Sequence, residues 1–206
     1  MRRLIFGAAS LVVVACSSET GPVVNTDGPT CAGTTNLLKN PEFSSANERT
    51  VIDWNGTQHG ANPSFSGSLE AGTLTIERTG PEPWYTLQQF VDLKEYAGNT
   101  MLYEADLKLS LNSDDWPHTL EPKGGLKVLI WAFGETAILG SRLAVNSSAE
   151  HAPNLGTTDW FRAYQVFTVP QRPDRAMFGF IHQANGSMSF RNPGLFDCGP
   201  APESDA

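Results

Sequence analysis

An all-β sandwich is the fold class the sequence predicts, on three observations. Between residues 31 and 198 the chain is a series of short alternating or apolar runs separated by Gly, Pro, Asn and Asp. No amphipathic helical pattern interrupts them, and no internal repeat is evident. Two cysteines, Cys31 and Cys198, bracket the whole stretch. Short strands at this spacing fit two packed sheets. In a chain of 206 residues the folded part is long enough for one domain with a sizeable core and too short for a second.

Taken in chain order, residues 1–15 have the parts of a secretory signal peptide: Arg2 and Arg3 at the start, then an apolar run over residues 4–14. That run is too short to span a bilayer as a helix. Val13-Val14-Ala15-Cys16 resembles a lipobox, which implies cleavage before Cys16 and a diacylglyceryl group on its thiol. Acyl chains contribute about 0.8 kcal/mol per buried methylene, so two or three of them hold a protein to a membrane without any protein span. Ser17 stands where lipoproteins of this kind retained in the inner membrane often carry Asp, and the resemblance thus implies the outer membrane. Residues 16–30, rich in Ser, Thr, Gly and Pro, read as a tether.

The domain is expected over residues 31–198. In Thr73–Arg78, Leu74 and Ile76 point one way and Thr75 and Glu77 the other. Over 101–109, Tyr103, Ala105, Leu107 and Leu109 form the inward face. The run 126–133 has two apolar faces, Leu126, Val128, Ile130 and Ala132 against Leu129, Trp131 and Phe133. The run 175–182 repeats this, with Met177 and Ile181 opposite Phe178, Phe180 and His182. Such strands belong in a sheet covered on both sides or lined by a ligand groove. Residues 199–206 read as a flexible tail.

Cys31 and Cys198 are the cysteines left once Cys16 carries lipid, and an even pair in an oxidising compartment predicts a disulfide. It would close a loop of 166 intervening residues, for which the chain-entropy estimate is on the order of 5 kcal/mol, an upper bound because strain and denatured-state structure intervene. The tie also predicts a fold whose two ends meet. Without Arg2 and Arg3 the chain has twelve basic against twenty-two acidic residues, a net charge of −10. Such a surface repels nucleic acid phosphate and anionic glycans.

Several motifs resemble carbohydrate-binding modules of the family 4, 9 and 22 type. Asn36-Leu37-Leu38-Lys39-Asn40-Pro41-Glu42-Phe43 followed by Trp54 resembles their opening. Trp84-Tyr85 leading into Gln89-Phe90-Val91-Asp92-Leu93, then Gly98-Asn99-Thr100 with Tyr103, then Trp160 and Phe167-Thr168-Val169-Pro170, resemble the internal signatures, and 186–196 resembles the closing strand. The resemblance spans residues 36–196 and implies a galactose-binding-like jelly roll, an architecture that serves many roles. Family members often hold a structural calcium near both chain ends. Here Glu42 and Asp197 are the nearest oxygen ligands, fewer than the six or so that calcium takes.

A sugar site needs aromatic faces to stack on pyranose C–H groups and polar side chains to bond hydroxyls. Strand parity sets Trp84, Thr86, Gln88 and Phe90 opposite the core, and likewise Trp131 and Phe133, and Trp160, Arg162 and Tyr164. His182 joins them if Met177 and Ile181 are core. The expected groove residues are therefore Trp84, Gln88, Trp131, Tyr164 and His182, with Arg162 as a hydroxyl donor. A Trp in a sandwich is more often packed than a ligand platform. Trp54 fits the core better, Trp131 fits either role, and His182 could instead bond a neighbouring backbone group. The loop from Ser113 to His118, which contains Asp114, Asp115 and Trp116, could rim a site and otherwise reads as a solvated loop.

Enzyme motifs are absent from the sequence: there is no G-x-S-x-G, no H-E-x-x-H, no P-loop and no paired-cysteine metal spacing. The carboxylates Glu82, Glu104, Asp106, Asp114 and Glu121 are not paired by spacing, as glycoside hydrolysis would need, and His59, His118, His151 and His182 form no metal motif. The expectation is a non-catalytic, lipid-anchored cell-envelope protein that binds a neutral poly- or oligosaccharide through an aromatic-lined concave sheet. The alternative is an envelope structural or protein-interaction module without a sugar site.

Overall fold

The computed structural model describes residues 29–31, 35–44, 51–132, 141–146 and 154–201, with the backbone alone described over 141–146. The expected signal peptide, Cys16, the tether up to residue 28, Phe133, His151 and the end of the tail lie outside the described residues.

Eleven strands follow in order: β1 (Asn55–Gln58), β2 (Phe65–Glu70), β3 (Thr73–Arg78), β4 (Tyr85–Val91), β5 (Asn99–Asn112), β6 (Lys123–Ala132), β7 (Ser141–Asn146), β8 (Gly156–Thr157), β9 (Phe161–Thr168), β10 (Pro173–Gln183) and β11 (Asn185–Pro200), with one 3-10 turn at Lys94–Tyr96. They form two antiparallel sheets. One has five strands in the order β1-β4-β10-β6-β7. The other has six in the order β2-β3-β11-β5-β8, and β9 also pairs with β5. The fold class is the expected all-β jelly-roll sandwich.

The core lies between the sheets. Leu87, Leu126, Val128, Ile130, Phe178 and Phe180 come from the five-stranded sheet; Leu74, Ile76, Tyr103, Leu107, Leu109 and Phe190 come from the other. Phe180 stacks on Phe190 across the gap with ring centroids 4.0 Å apart. Phe43 and Trp54 close one end of the core, their centroids 5.4 Å apart, and the Trp54 indole N–H donates to the Asn40 carbonyl. The Tyr103 hydroxyl donates to the Gly179 carbonyl at 2.8 Å, a buried bond that joins the two sheets.

The opening motif is structural. Asn36 accepts from the backbone N–H of Leu38 and of Leu195, each at 3.0 Å, and donates to the Pro193 carbonyl at 2.9 Å, which satisfies backbone groups freed where β11 bulges between Arg191 and Gly194. Gln89 exchanges two hydrogen bonds with the backbone of Lys39. These contacts fasten the first segment to both sheets.

The alternation read over 73–78, 101–109 and 126–132 holds, and the core faces are those expected. The orientation of 175–182 is the reverse of the one that would have placed His182 in a groove. Ala176, Phe178 and Phe180 point into the core, and Met177 and Ile181 point outward. Both faces of this strand are apolar, so parity alone cannot choose between them. The larger aromatic pair faces inward because it finds aromatic partners there, Phe178 against Tyr103 and Phe167, Phe180 against Trp54 and Phe190.

Cys31 and Cys198 form the expected disulfide, with their Cα atoms 4.7 Å apart, so the two ends of the domain meet. β11 continues to Pro200, which pairs with Asn99, two residues past the expected end of the domain at Cys198. The Pro29 carbonyl accepts from Arg162 of β9 at 2.8 Å, which lays the incoming chain against the six-stranded sheet.

Candidate functional site

Strand register brings the outward residues of the five-stranded sheet into rows, because partners across an antiparallel ladder share a face. One row runs Asn55, Gln88, Gly179, Lys127; the next runs Thr57, Thr86, Ile181, Gly125. On the other side of the Gln88 row stand Phe90, Met177 and Leu129, and beyond them Arg175 and Trp131. Trp84 precedes β4 on the same parity, and its carbonyl accepts from the His59 N–H at 3.1 Å, which carries the β1–β4 pairing one step further. Gly179 and Gly125 leave the middle of this face without side chains. A Cβ on Gly179 would lie 2.0 Å from the Leu87 carbonyl oxygen, so β10 and β4 approach closely there only because the residue is glycine.

Phe90 is 46% exposed and Trp131 is half-buried. The Arg175 guanidinium lies 3.7 Å from the centroid of the Phe90 ring and 5.6 Å from that of Trp131. Among the described residues the Gln88 amide oxygen is buried without a hydrogen-bond partner. Trp84 and His59 meet edge to face with centroids 5.8 Å apart, and His59 Nδ1 lies 3.0 Å from Glu82.

Of the expected groove residues, Trp84, Gln88 and Trp131 share this face. Arg162 and Tyr164 do not. They stand on β9, whose outward side belongs to the six-stranded sheet, because β9 pairs with β5. There Arg162 is engaged with Glu104 and with Pro29, and its guanidinium lies 5.8 Å from the Tyr164 ring. Arg191 pairs with Asp106 at 3.3 Å and lies 4.2 Å from the Trp160 ring. The parity assigned to Trp160, Arg162 and Tyr164 holds; the sheet does not. His182 is 1% exposed on the inner side, edge to face with Phe65. Burial, with the positive charge of Arg78 as second cause, lowers its pKa to about 4. The Gly186 backbone offsets part of this, yet among the described residues neither ring nitrogen has a partner in hydrogen-bond geometry.

The loop following β5 is held by Arg78. Its guanidinium lies 4.9 Å from the Trp116 ring, 3.1 Å from His118 Nε2, and donates to Asn185, to Glu82 and to Pro81. Of the calcium candidates, Asp197 accepts from Asn99 and from the Gly199 N–H, and Glu42 is exposed. Among the described residues no group of three or more His, Cys, Asp or Glu is placed to hold a metal ion.

Arg175, Lys127 and Met177 had not been singled out as site residues. For Lys127 the signal lay in composition, since the segments that became β1, β4 and β6 contain no acidic residue; for Arg175 and Met177 it lay in the orientation of β10, which parity does not choose.

No family model and no curated protein matches this sequence. Solved structures do. A family 4 carbohydrate-binding module superposes with a TM-score of 0.50 at 17% identity, covering 78% of this chain and 99% of that one. The CBM22-1 xylan-binding domain of Paenibacillus barcinonensis Xyn10C gives 0.50 at 12% identity, covering 84% and 100%. Both share the jelly roll of this chain. The jelly roll also matches the enzymatically active domain of tailspike protein 4 of bacteriophage CBA120, with a TM-score of 0.52 at 13% identity, but there this chain spans 21% of the other's length. At such identities what is shared is the jelly roll itself.

Proposed function

We propose that this is a non-catalytic, lipid-anchored protein of the bacterial cell envelope that binds a poly- or oligosaccharide across the outer face of its five-stranded sheet. The observation that carries the reading is the combination on that face of Trp131, Phe90 and Trp84 with the unpartnered acceptor of Gln88, while the complete core lies on the other side. Flat aromatic groups beside polar side chains are what a pyranose requires. The jelly roll seen in the family 4 module and in the xylan-binding domain supports the same reading.

Affinity electrophoresis against a panel of polysaccharides tests it. Retardation by at least one polymer is expected, and Trp131→Ala should weaken it about tenfold or more with the thermal transition retained. Failure to bind any polysaccharide, neutral or charged, would sink the reading. The anchor has its own test: Cys16→Ser should move the protein from the membrane fraction to the soluble envelope fraction, and unchanged fractionation would refute lipid attachment at that residue.

A further inference from the structure

Charge is distributed unevenly between the two sheets. The five strands of the proposed binding sheet carry Lys123, Lys127, Arg142 and Arg175, and their acidic residues reduce to Asp174, at the irregularity that opens β10. The six-stranded sheet and β9 carry Glu70, Glu77, Glu104, Asp106 and Asp197 beside Arg78, Lys108, Arg162 and Arg191, so there the two signs nearly balance. By register Lys123, Lys127 and Arg175 all fall on the outward side, in line with Gln183, Gly179 and Trp131. A chain of net charge −8 thus gathers cations free of strand carboxylates on the face that presents the exposed Phe90 ring and the half-buried Trp131.

Arg175 stands at one end of that face, opposite Trp131. It is exposed, and among the described residues it makes no hydrogen bond or ion pair, only its approaches to Phe90 and Trp131. Contrast Arg162 and Arg191 on the other sheet, both paired with carboxylates. A guanidinium lying against a ring uses its flat face, and its N–H donors radiate in its own plane. The stacking therefore holds the group in place and leaves the fork available to an acceptor.

We infer that the ligand is an acidic glycan, with the carboxylate of a uronic acid residue received by the Arg175 fork and a neighbouring ring stacked on Trp131. This rests on the saccharide reading above and replaces the neutral ligand expected from overall charge. The planar fork matches two carboxylate oxygens, a fit that a bare point charge lacks. The acidic remainder of the protein does not forbid the approach, because exposed charges are screened beyond about 8 Å at physiological salt.

The test uses alginate, polygalacturonate and hyaluronate, each beside its carboxyl-reduced form, with affinities from affinity electrophoresis and calorimetry. At least one acidic polymer is expected to bind about tenfold or more tightly than its reduced form. Arg175→Gln should remove that preference, and Arg175→Lys, which keeps charge and loses the fork, should restore part of it. Since Arg175 is exposed, the variants should keep the wild-type thermal transition. Equal or tighter binding of the reduced polymers, or an undiminished preference in Arg175→Gln, overturns the assignment and leaves the saccharide reading standing. Dextran sulfate bound as tightly as any uronate overturns the carboxylate in favour of charge alone. No binding to any polymer, acidic or neutral, removes both readings.

Discussion

His182 closes the inner face of β10 at 1% exposure, beside Arg78 and the Phe65 ring. Its pKa is lowered to about 4, first by burial and then by Arg78. The unfolded chain therefore binds a proton near pH 6.5 that the folded chain refuses until about pH 4. Stability from this group is complete above the unfolded value and is lost as pH falls through the window between the two. Between about pH 7 and pH 5 the loss should be on the order of 2 kcal/mol. Urea unfolding at both pH values checks this, since the wild type should weaken by more than His182→Gln; equal weakening would discount the buried imidazole. At the same scale, Tyr103→Phe removes the bond between the sheets and should cost about 1–2 kcal/mol by the same measurement.

Among elements, β10 teaches most about what a sequence can disclose. β3 and β5 alternate apolar against polar, so parity alone orients them, and Leu74, Ile76, Tyr103 and Leu107 lie where parity sets them. β10 is apolar on both faces, and its orientation depends on which rings wait across the gap, a fact that resides in β5, β9 and β11. Half of the expected site failed for a related reason. Parity reveals the outward side of β9 correctly, yet membership of a sheet is fixed by pairing with β5, some sixty residues earlier along the chain in the Arg162–Asp106 register. The face shared by Trp84, Gln88 and Trp131 was legible because the apolar core faces of β4 and β6, Leu87 and then Leu126, Val128 and Ile130, set the opposite side by parity. The contact of β10 with β4 also makes a prediction. Gly179→Ala would drive a methyl into the Leu87 carbonyl and should destabilise the domain by about 1–3 kcal/mol in urea unfolding. It should weaken glycan binding too, because Gln88 follows Leu87. A separate element, the loop after β5, hangs on one side chain. Arg78→Ala should raise amide hydrogen exchange around Trp116 and His118 and leave β6 and β10 protected, and unchanged exchange there would deny Arg78 its fastening role.

For the whole molecule, the first segment, the disulfide and the bulged last strand form one structural unit. Asn36 is bonded to the β11 bulge, and Cys31 is bonded to the end of the same strand. A Cys31→Ser, Cys198→Ser double variant should lose on the order of 2–5 kcal/mol of stability, read as a lower urea midpoint that reductant no longer changes. The division of labour between the sheets is equally a property of the whole. The six-stranded sheet receives the incoming chain at Arg162 and carries most of the acidic strand residues, and the five-stranded sheet is left with its aromatic and basic face directed away from it.

The disulfide has a mechanical meaning as well. A pull on the chain ahead of Cys31, such as the proposed membrane anchor and a bound polymer would exert between them, enters the domain at a covalent bond to its last strand. The described sheets then carry load in one piece, since neither end of the folded region can be drawn from the other. Stretched between residues 31 and 198 in an optical trap, the oxidised domain should show no unfolding extension. After reduction the same pull should release the contour of the 167-residue separation, on the order of 550 Å.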